Sequence, residues 1–283
     1  MSGAPDRQYV VARSVLLDAL DALGAQREAV ILVGAQAVYL HTGAVELAVA
    51  AFTTDADLTL DPALLQPAPE IEAAMTAAGF HRGNRVGAWV VSRDIDGTNT
   101  NVEVDLMVPE AVGGAGSRAA RLAGHAKEVA RKARGLEAAL VDKRRTVIAA
   151  LDDADTRSFS VAAAGPAALI VSKMHKIRER LAERAQRRLD DKDALDVLRL
   201  LQATATDALA TTFVQLLHTD VSKTVTDEAL TALKELFTDA RAVGAQMAVR
   251  SAGALAAPDE IAGSCAALSL DLLAAVERAR KRK

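Results

Sequence analysis

With a single cysteine, Cys265, the chain has no internal partner for a disulfide, so a small disulfide-stapled fold is excluded. Aromatic residues make up only 3% of the sequence, while 51% is hydrophobic and much of that is alanine, so the core is expected to rest on small-residue helix packing rather than on large rings. Long apolar runs are lacking too. The stretch Val161 to Val171 is cut by Gly165 and Pro166, well short of the roughly 18 residues that cross a bilayer. The start, MSGAPDRQYV, has none of the charged-then-apolar layout of a secretory signal. These absences predict a soluble protein of a reducing, cytoplasmic setting, with no membrane partner.

What is present is enough chain for two domains, 283 residues, and a charge pattern that says more than its net value of -3. Between Arg118 and Arg145 there are nine Lys/Arg against three Asp/Glu, and between Ser172 and Arg188 seven against two. Either stretch could face a polyanion.

Val11 to Leu23 carries apolar residues at helical spacing and stops at Gly24, an opening helix. AVILVG, 29–34, is a short β-branched run of the kind that makes a buried strand, and AQAVYLHTG follows as a short helix. DLTL at 57–60, GAWVVSR at 87–93 and VEVDLMV at 102–108 read as further strands, with a helix from Pro69 to Ala78 and a hairpin at DGTNTN. Arg118 to Arg134 reads as a loop and then a helix, and RRTVIAAL as a return to the sheet. Beyond Gly165-Pro166 the patterns are helical: Ala167 to Gln186, Asp190 to Gln202, Thr206 to Leu217, Thr226 to Val243, and Pro258 to the end. The expected architecture is α/β (α+β), with a mixed sheet and flanking helices over 1–160 and a helical domain over 161–283.

Successive strand side chains point to opposite faces, so Asp55 and Asp57 in Thr54-Asp55-Ala56-Asp57-Leu58 project on one side. Glu103 and Asp105 do the same on an apolar strand. If the two strands are neighbours, three carboxylates share a small space, and a hard divalent cation with oxygen ligands is the usual way to relieve such repulsion. Either Glu103 or Asp105 could be the third ligand. Gly34, between a strand and a helix, would let a phosphate approach the N–H groups of that helix's first turn. The plain structural alternative makes Asp55 a cap, Asp57 a solvated strand end, and Glu103 and Asp105 the wet face of an edge strand.

Lys173, Lys176, Arg180, Arg184 and Arg187 recur every three or four residues, a cationic stripe suited to a triphosphate or an RNA backbone, or simply a solvated face paired with Glu179 and Glu183. Lys173 follows the apolar run AALIVS and is expected near the buried end. Asp193 and Asp196 share a helix face and could reach Lys173 across a helical hairpin, so one of them could be a salt-bridge partner rather than a catalyst. Trp89 is expected to pack on its strand, and His175 has no second histidine at zinc-ligand spacing.

The order glycine motif, D-x-D, later acidic strand resembles the nucleotidyltransferase superfamily, and within it the AbiEii/MenT group of toxin nucleotidyltransferases. The residues that carry the resemblance are Val33-Gly34-Ala35, Ala51-Phe52-Thr53-Thr54-Asp55-Ala56-Asp57, Lys173-Met174-His175-Lys176 and Asp193-Ala194-Leu195-Asp196-Val197, over about residues 29 to 202. Two positions depart from the pattern: Ala35 lacks the hydroxyl of a Gly-Ser motif, and Ala51 stands where the group often has arginine. The resemblance implies Mg2+, two ions, on Asp55, Asp57 and Asp105. It implies an NTP bordered by Gly34, Ala35 and Thr54 and contacted by Lys173 and Lys176, with Asp193 completing the site. The reaction it implies is transfer of NMP, with release of pyrophosphate, to an acceptor, foremost a tRNA 3′ end, by the toxin of a toxin-antitoxin pair. A cognate antitoxin is then an expected partner, either a protein or a kinase that modifies Thr53 or Thr54 beside Asp55. Other acceptors, a small molecule or a protein hydroxyl, and an inactive binding version of the fold, are the alternatives.

Overall fold

Short apolar runs bounded by glycine or proline become the strands of one mixed sheet, and the alanine- and leucine-rich remainder becomes helices. The computed structural model describes residues 6–43, 55–116, 118–182, 191–253 and 256–282. Among them two compact units separate, one drawing on Met1–Ala37, Ala44–Ala133 and Lys143–Ala164, the other on Val38–Gly43, Arg134–Asp142 and Gly165–Lys283. The chain thus passes between the units more than once.

The first unit holds the sheet. Its strands are β1 (Val30–Val33), β2 (Asp55–Leu60), β3 (His81–Arg82), β4 (Ala88–Ile95), β5 (Thr98–Pro109), β6 (Arg131–Ala133), β7 (Lys143–Ala149) and β8 (Ser158–Ala164). The order across the sheet is β3-β4-β5-β2-β1-β8-β7. β2 runs parallel to β5 and antiparallel to β1, and β1 runs parallel to β8. β4 borders β5 up to Asp105, where β6 takes over the same edge from Met107 onward. Asp96 and Gly97, both at positive φ, close the β4–β5 hairpin, the backbone of the favoured two-residue turn.

Helix α1 (Arg7–Ala22) lies against β2, β4, β5 and β8 and presses its buried Val15, Leu16, Leu17 and Leu20 on that face, where Ala56, Leu58, Leu60, Val104 and Leu106 are fully buried. Each such side chain contributes roughly 2 kcal/mol of burial. The alternation along β2 and β5 then leaves Asp55, Asp57, Glu103 and Asp105 on the opposite face. Helices α2 (Gly34–Thr42) and α3 (Ile71–Ala77) complete this part of the chain.

Two sequence expectations are corrected. Arg118 to Arg134 contains no helix among its described residues, because Gly124 and Glu128 take positive φ and the backbone pairs across the loop instead, Ala120 N donating to Ala130 O and Lys132 N to Arg118 O. Residues 158–164 form β8, and the helices begin at Pro166, where the pattern beyond Gly165-Pro166 predicts them. Thr226 to Val243 is not one helix: α7 (Asp220–Phe237) ends where the Asp239 carboxylate accepts the Arg241 N–H, and α8 (Val243–Ala252) starts anew.

In the second unit α4 (Pro166–Ala182) is capped by Asp142, whose carboxylate accepts the Ala168 N–H at 2.9 Å. A Cβ at Gly165 would collide with that carboxylate, which is why glycine precedes the proline. α4 packs on α5 (Lys192–Ala203) and α7, while α6 (Thr206–His218) packs on α7 and α9 (Pro258–Arg280). No described helix is long and apolar enough to cross a membrane.

Candidate active site

The site residues named from sequence gather into two groups, one in each unit. In the first, strand pairing sets Asp57 directly opposite Asp105 and Asp55 directly opposite Glu103 on adjacent parallel strands. Asp55, Asp57 and Glu103 are half-buried, and Asp105 is 4% exposed. Four carboxylates therefore occupy one patch of the sheet. Gly34 follows Val33, the residue paired with Asp57, and its φ of +68° is the left-handed region that favours glycine. Any Cβ there would strike the Asp57 carboxylate. Ala35 is buried in the first turn of α2, and Gln36 beside it accepts from Arg13 Nε at 2.9 Å. Thr54, with Thr53 and Ala51, lies outside the described residues.

Two arginines that the sequence reading passed over meet this patch. Arg131 of β6 grips Asp105 with both faces of its fork, Nε donating to Oδ1 at 3.2 Å and Oδ2 at 3.0 Å and a terminal nitrogen to Oδ2 at 2.7 Å. Arg85 pairs with Glu103 and stands 3.9 Å from Asp105. Burial pushes the Asp105 carboxyl above its ordinary range; Arg131 opposes this and the nearby Asp57 adds to it. Glu103 is likewise raised by burial, with Arg85 opposing and Asp105 and Asp55 reinforcing. Arg131 was hidden because its strand was read as helix; the clue in the sequence was the number of carboxylates needing counter-charge.

Asp55 and Asp57 offer hard oxygen donors from one strand face, which suits a divalent cation. Both oxygens of Asp105, one of the two third ligands the sequence offered, already accept hydrogen bonds from Arg131. Among the described residues no three His, Cys, Asp or Glu side chains converge as metal ligands.

The second group is a buried charge cluster. Lys173 Nζ donates to Asp193 at 2.6 Å and to Asp196 at 2.7 Å, both carboxylates from α5. Arg180 also pairs with Asp193, Lys176 lies 3.9 Å from it, and Arg199 reaches Asp196 at 3.3 Å. Burial would lower the Lys173 ammonium, but the two aspartates outweigh it and hold it above its ordinary value. Burial would raise Asp193, but Lys173, Lys176 and Arg180 outweigh it and hold it low. The stripe is therefore not a solvated face at Lys173, which is 3% exposed; Arg184 and Arg187 lie outside the described residues. His175 donates from Nε2 to Val225 O at 2.8 Å, and Trp89 packs on β4 and donates to Val129 O at 3.0 Å.

A family model described as nucleotidyltransferase matches residues 12–217, which is most of the chain and includes both groups. The chain belongs to that nucleotidyltransferase family and is a transferase enzyme. No curated protein and no solved structure gave a match.

Proposed function

We propose that the chain transfers NMP from an NTP to the 3′ end of a tRNA, as the AbiEii/MenT-like toxin of a toxin-antitoxin pair, with magnesium on Asp55 and Asp57. The observation that supports the chemistry is the register of Asp55 and Asp57 against Glu103 and Asp105 beside Gly34. A divalent cation bound there supplies Lewis-acid stabilisation of phosphate oxygens during in-line transfer. Asp55 and Asp57 would hold and orient it, and the missing Cβ at Gly34 is what lets the Asp57 carboxylate lie against the start of α2. The acceptor's hydroxyl forms a new bond to the α-phosphorus as the bond to the pyrophosphate oxygen breaks. By the resemblance, Lys173 and Lys176 serve the nucleotide phosphates and Asp193 completes the site. Phosphate placed on Thr53 or Thr54 by an antitoxin kinase would set negative charge beside Asp55.

The test is to incubate the wild-type protein and Asp57→Ala with magnesium, total tRNA and each α-labelled NTP. Label on tRNA with wild type only supports the reading. Pyrophosphate release with no labelled RNA would overturn the tRNA part.

A second acceptor class, a small molecule or a protein hydroxyl, is favoured by one observation. The basic stretches that would grip RNA spend much of their charge internally: Arg131, Arg134, Lys143 and Arg145 pair with Asp105, Glu228, Asp61 and Glu28, and Lys173, Arg178 and Arg180 with Asp193, Glu235 and Asp193. An RNA acceptor should lose affinity steeply with salt and a small neutral one should not.

A further inference from the structure

We propose that Arg131 occupies, as a fixed guanidinium, the place beside Asp105 that a second divalent cation would take, so that the acidic face holds one such cation, on Asp55 and Asp57. The inference rests on the metal-dependent reading above and deepens it. A second metal at Asp105 would have to compete with Arg131, whose fork donates to both carboxylate oxygens. Nor is Arg131 a loose surface side chain that drifted onto the acid. Its backbone is set by β6 pairing beside Met107 and by a bridge to Ala119. Gly87 lets the start of β4 pass so close that a Cβ there would come within 2.7 Å of the Arg131 nitrogen. Its side chain also reaches the Met107 sulfur at 3.0 Å.

Arg131 acts through Asp105, as a positioning residue: it holds that carboxylate in place beside Asp57 and competes with metal for it. Lysine cannot replace it, having a single point of charge and no planar fork.

The experiment is a Mn2+ titration of the full chain, with free Mn2+ followed by its paramagnetic resonance signal, and with thermal melting to show that each variant is folded. Wild type should bind one Mn2+ per chain. Asp57→Asn should weaken it by about tenfold or more, while Asp105→Asn should change it by less than about threefold, as expected of a ligand and a non-ligand. Arg131→Gln, by freeing Asp105, should gain a second Mn2+, and Arg131→Lys should gain it in part. Two Mn2+ on wild type, or equal losses in Asp57→Asn and Asp105→Asn, would overturn the assignment while leaving the metal site standing. Should Arg131→Gln fail to fold, the wild-type stoichiometry and the Asp105→Asn arm decide alone. No Mn2+ on wild type would instead strike at the metal-dependent reading itself.

Discussion

Both units bury acidic side chains, yet they resolve the cost in opposite ways. On the sheet, carboxylates are set side by side, and burial pushes Glu103 and Asp105 toward protonation. In the helical unit, Asp193 and Asp196 meet Lys173, Arg180 and Arg199, and the Lys173 and Asp193 charges are held ionised more firmly than in water. An unbalanced, acid-rich cluster is one that a cationic ligand can still improve, whereas one whose acids already meet buried cations gains nothing from it. The sheet patch is therefore where a cation is expected to bind, and the Lys173 cluster is where breaking a pair should cost the most stability.

Four changes probe that contrast. The largest effect should come from Asp57→Ala, which removes a carboxylate from the unbalanced patch. Pyrophosphate release is expected to fall by about a thousandfold, on the order of 4 kcal/mol of transition-state stabilisation, with the melting temperature little changed or raised. A fall in stability without loss of turnover would reverse the roles assigned to the two clusters.

Next is Lys173→Met. It leaves Asp193 and Asp196 buried without their central cation, and urea denaturation should show a loss of about 3–5 kcal/mol. Adding Asp193→Asn to Lys173→Met should recover part of it. The pH dependence of wild-type stability sharpens the point. Asp193 lies below its ordinary 3.8 in the folded chain, so its stabilisation is complete above that pH and is lost as pH falls through the lowered value. Lys173 lies above its ordinary 10.5, so its stabilisation is complete below that pH and is lost as pH rises through the raised value. The contribution of these two charges to wild-type stability should thus stay level between those two ordinary values and shrink only outside them, which urea denaturation of the wild type across pH checks.

Gly34→Ala should be intermediate: a left-handed residue gains a Cβ that meets the Asp57 carboxylate. A stability cost of about 1–3 kcal/mol is expected from the backbone conformation, together with a larger proportional loss of turnover because Asp57 is displaced. The smallest effect belongs to Arg145→Ala, which breaks an exposed pair with Glu28 and should shift the denaturation midpoint by less than about 1 kcal/mol.

Much of this contrast was legible in the sequence. The two-residue spacing of Asp55 and Asp57, and of Glu103 and Asp105, put each pair on one face of its strand, and the three-residue spacing of Asp193 and Asp196 aimed both at Lys173; the expectation that one would pair with it was met by both. The segment from Arg118 to Arg134 was misread because alanine and basic residues carry helix propensity, while the outcome was decided by backbone pairing with Arg118, Ala120 and the end of β5. The break between α7 and α8 was missed for a related reason: a single aspartate turn interrupts an apolar period that otherwise continues.

By itself, then, the sequence determined which residues share a face, where proline and glycine end each element, and that the chain carries a nucleotidyltransferase pattern, because local periodicity and backbone restriction act over a few residues. Only the tertiary structure decided that Asp57 sits across from Asp105, that Arg131 returns along β5 to hold that carboxylate, and that Lys173 is sealed between two aspartates. Each of those depends on strand order, register or helix packing between segments 20 or more residues apart, and such contacts are chosen by the burial of the whole chain rather than by any stretch of it.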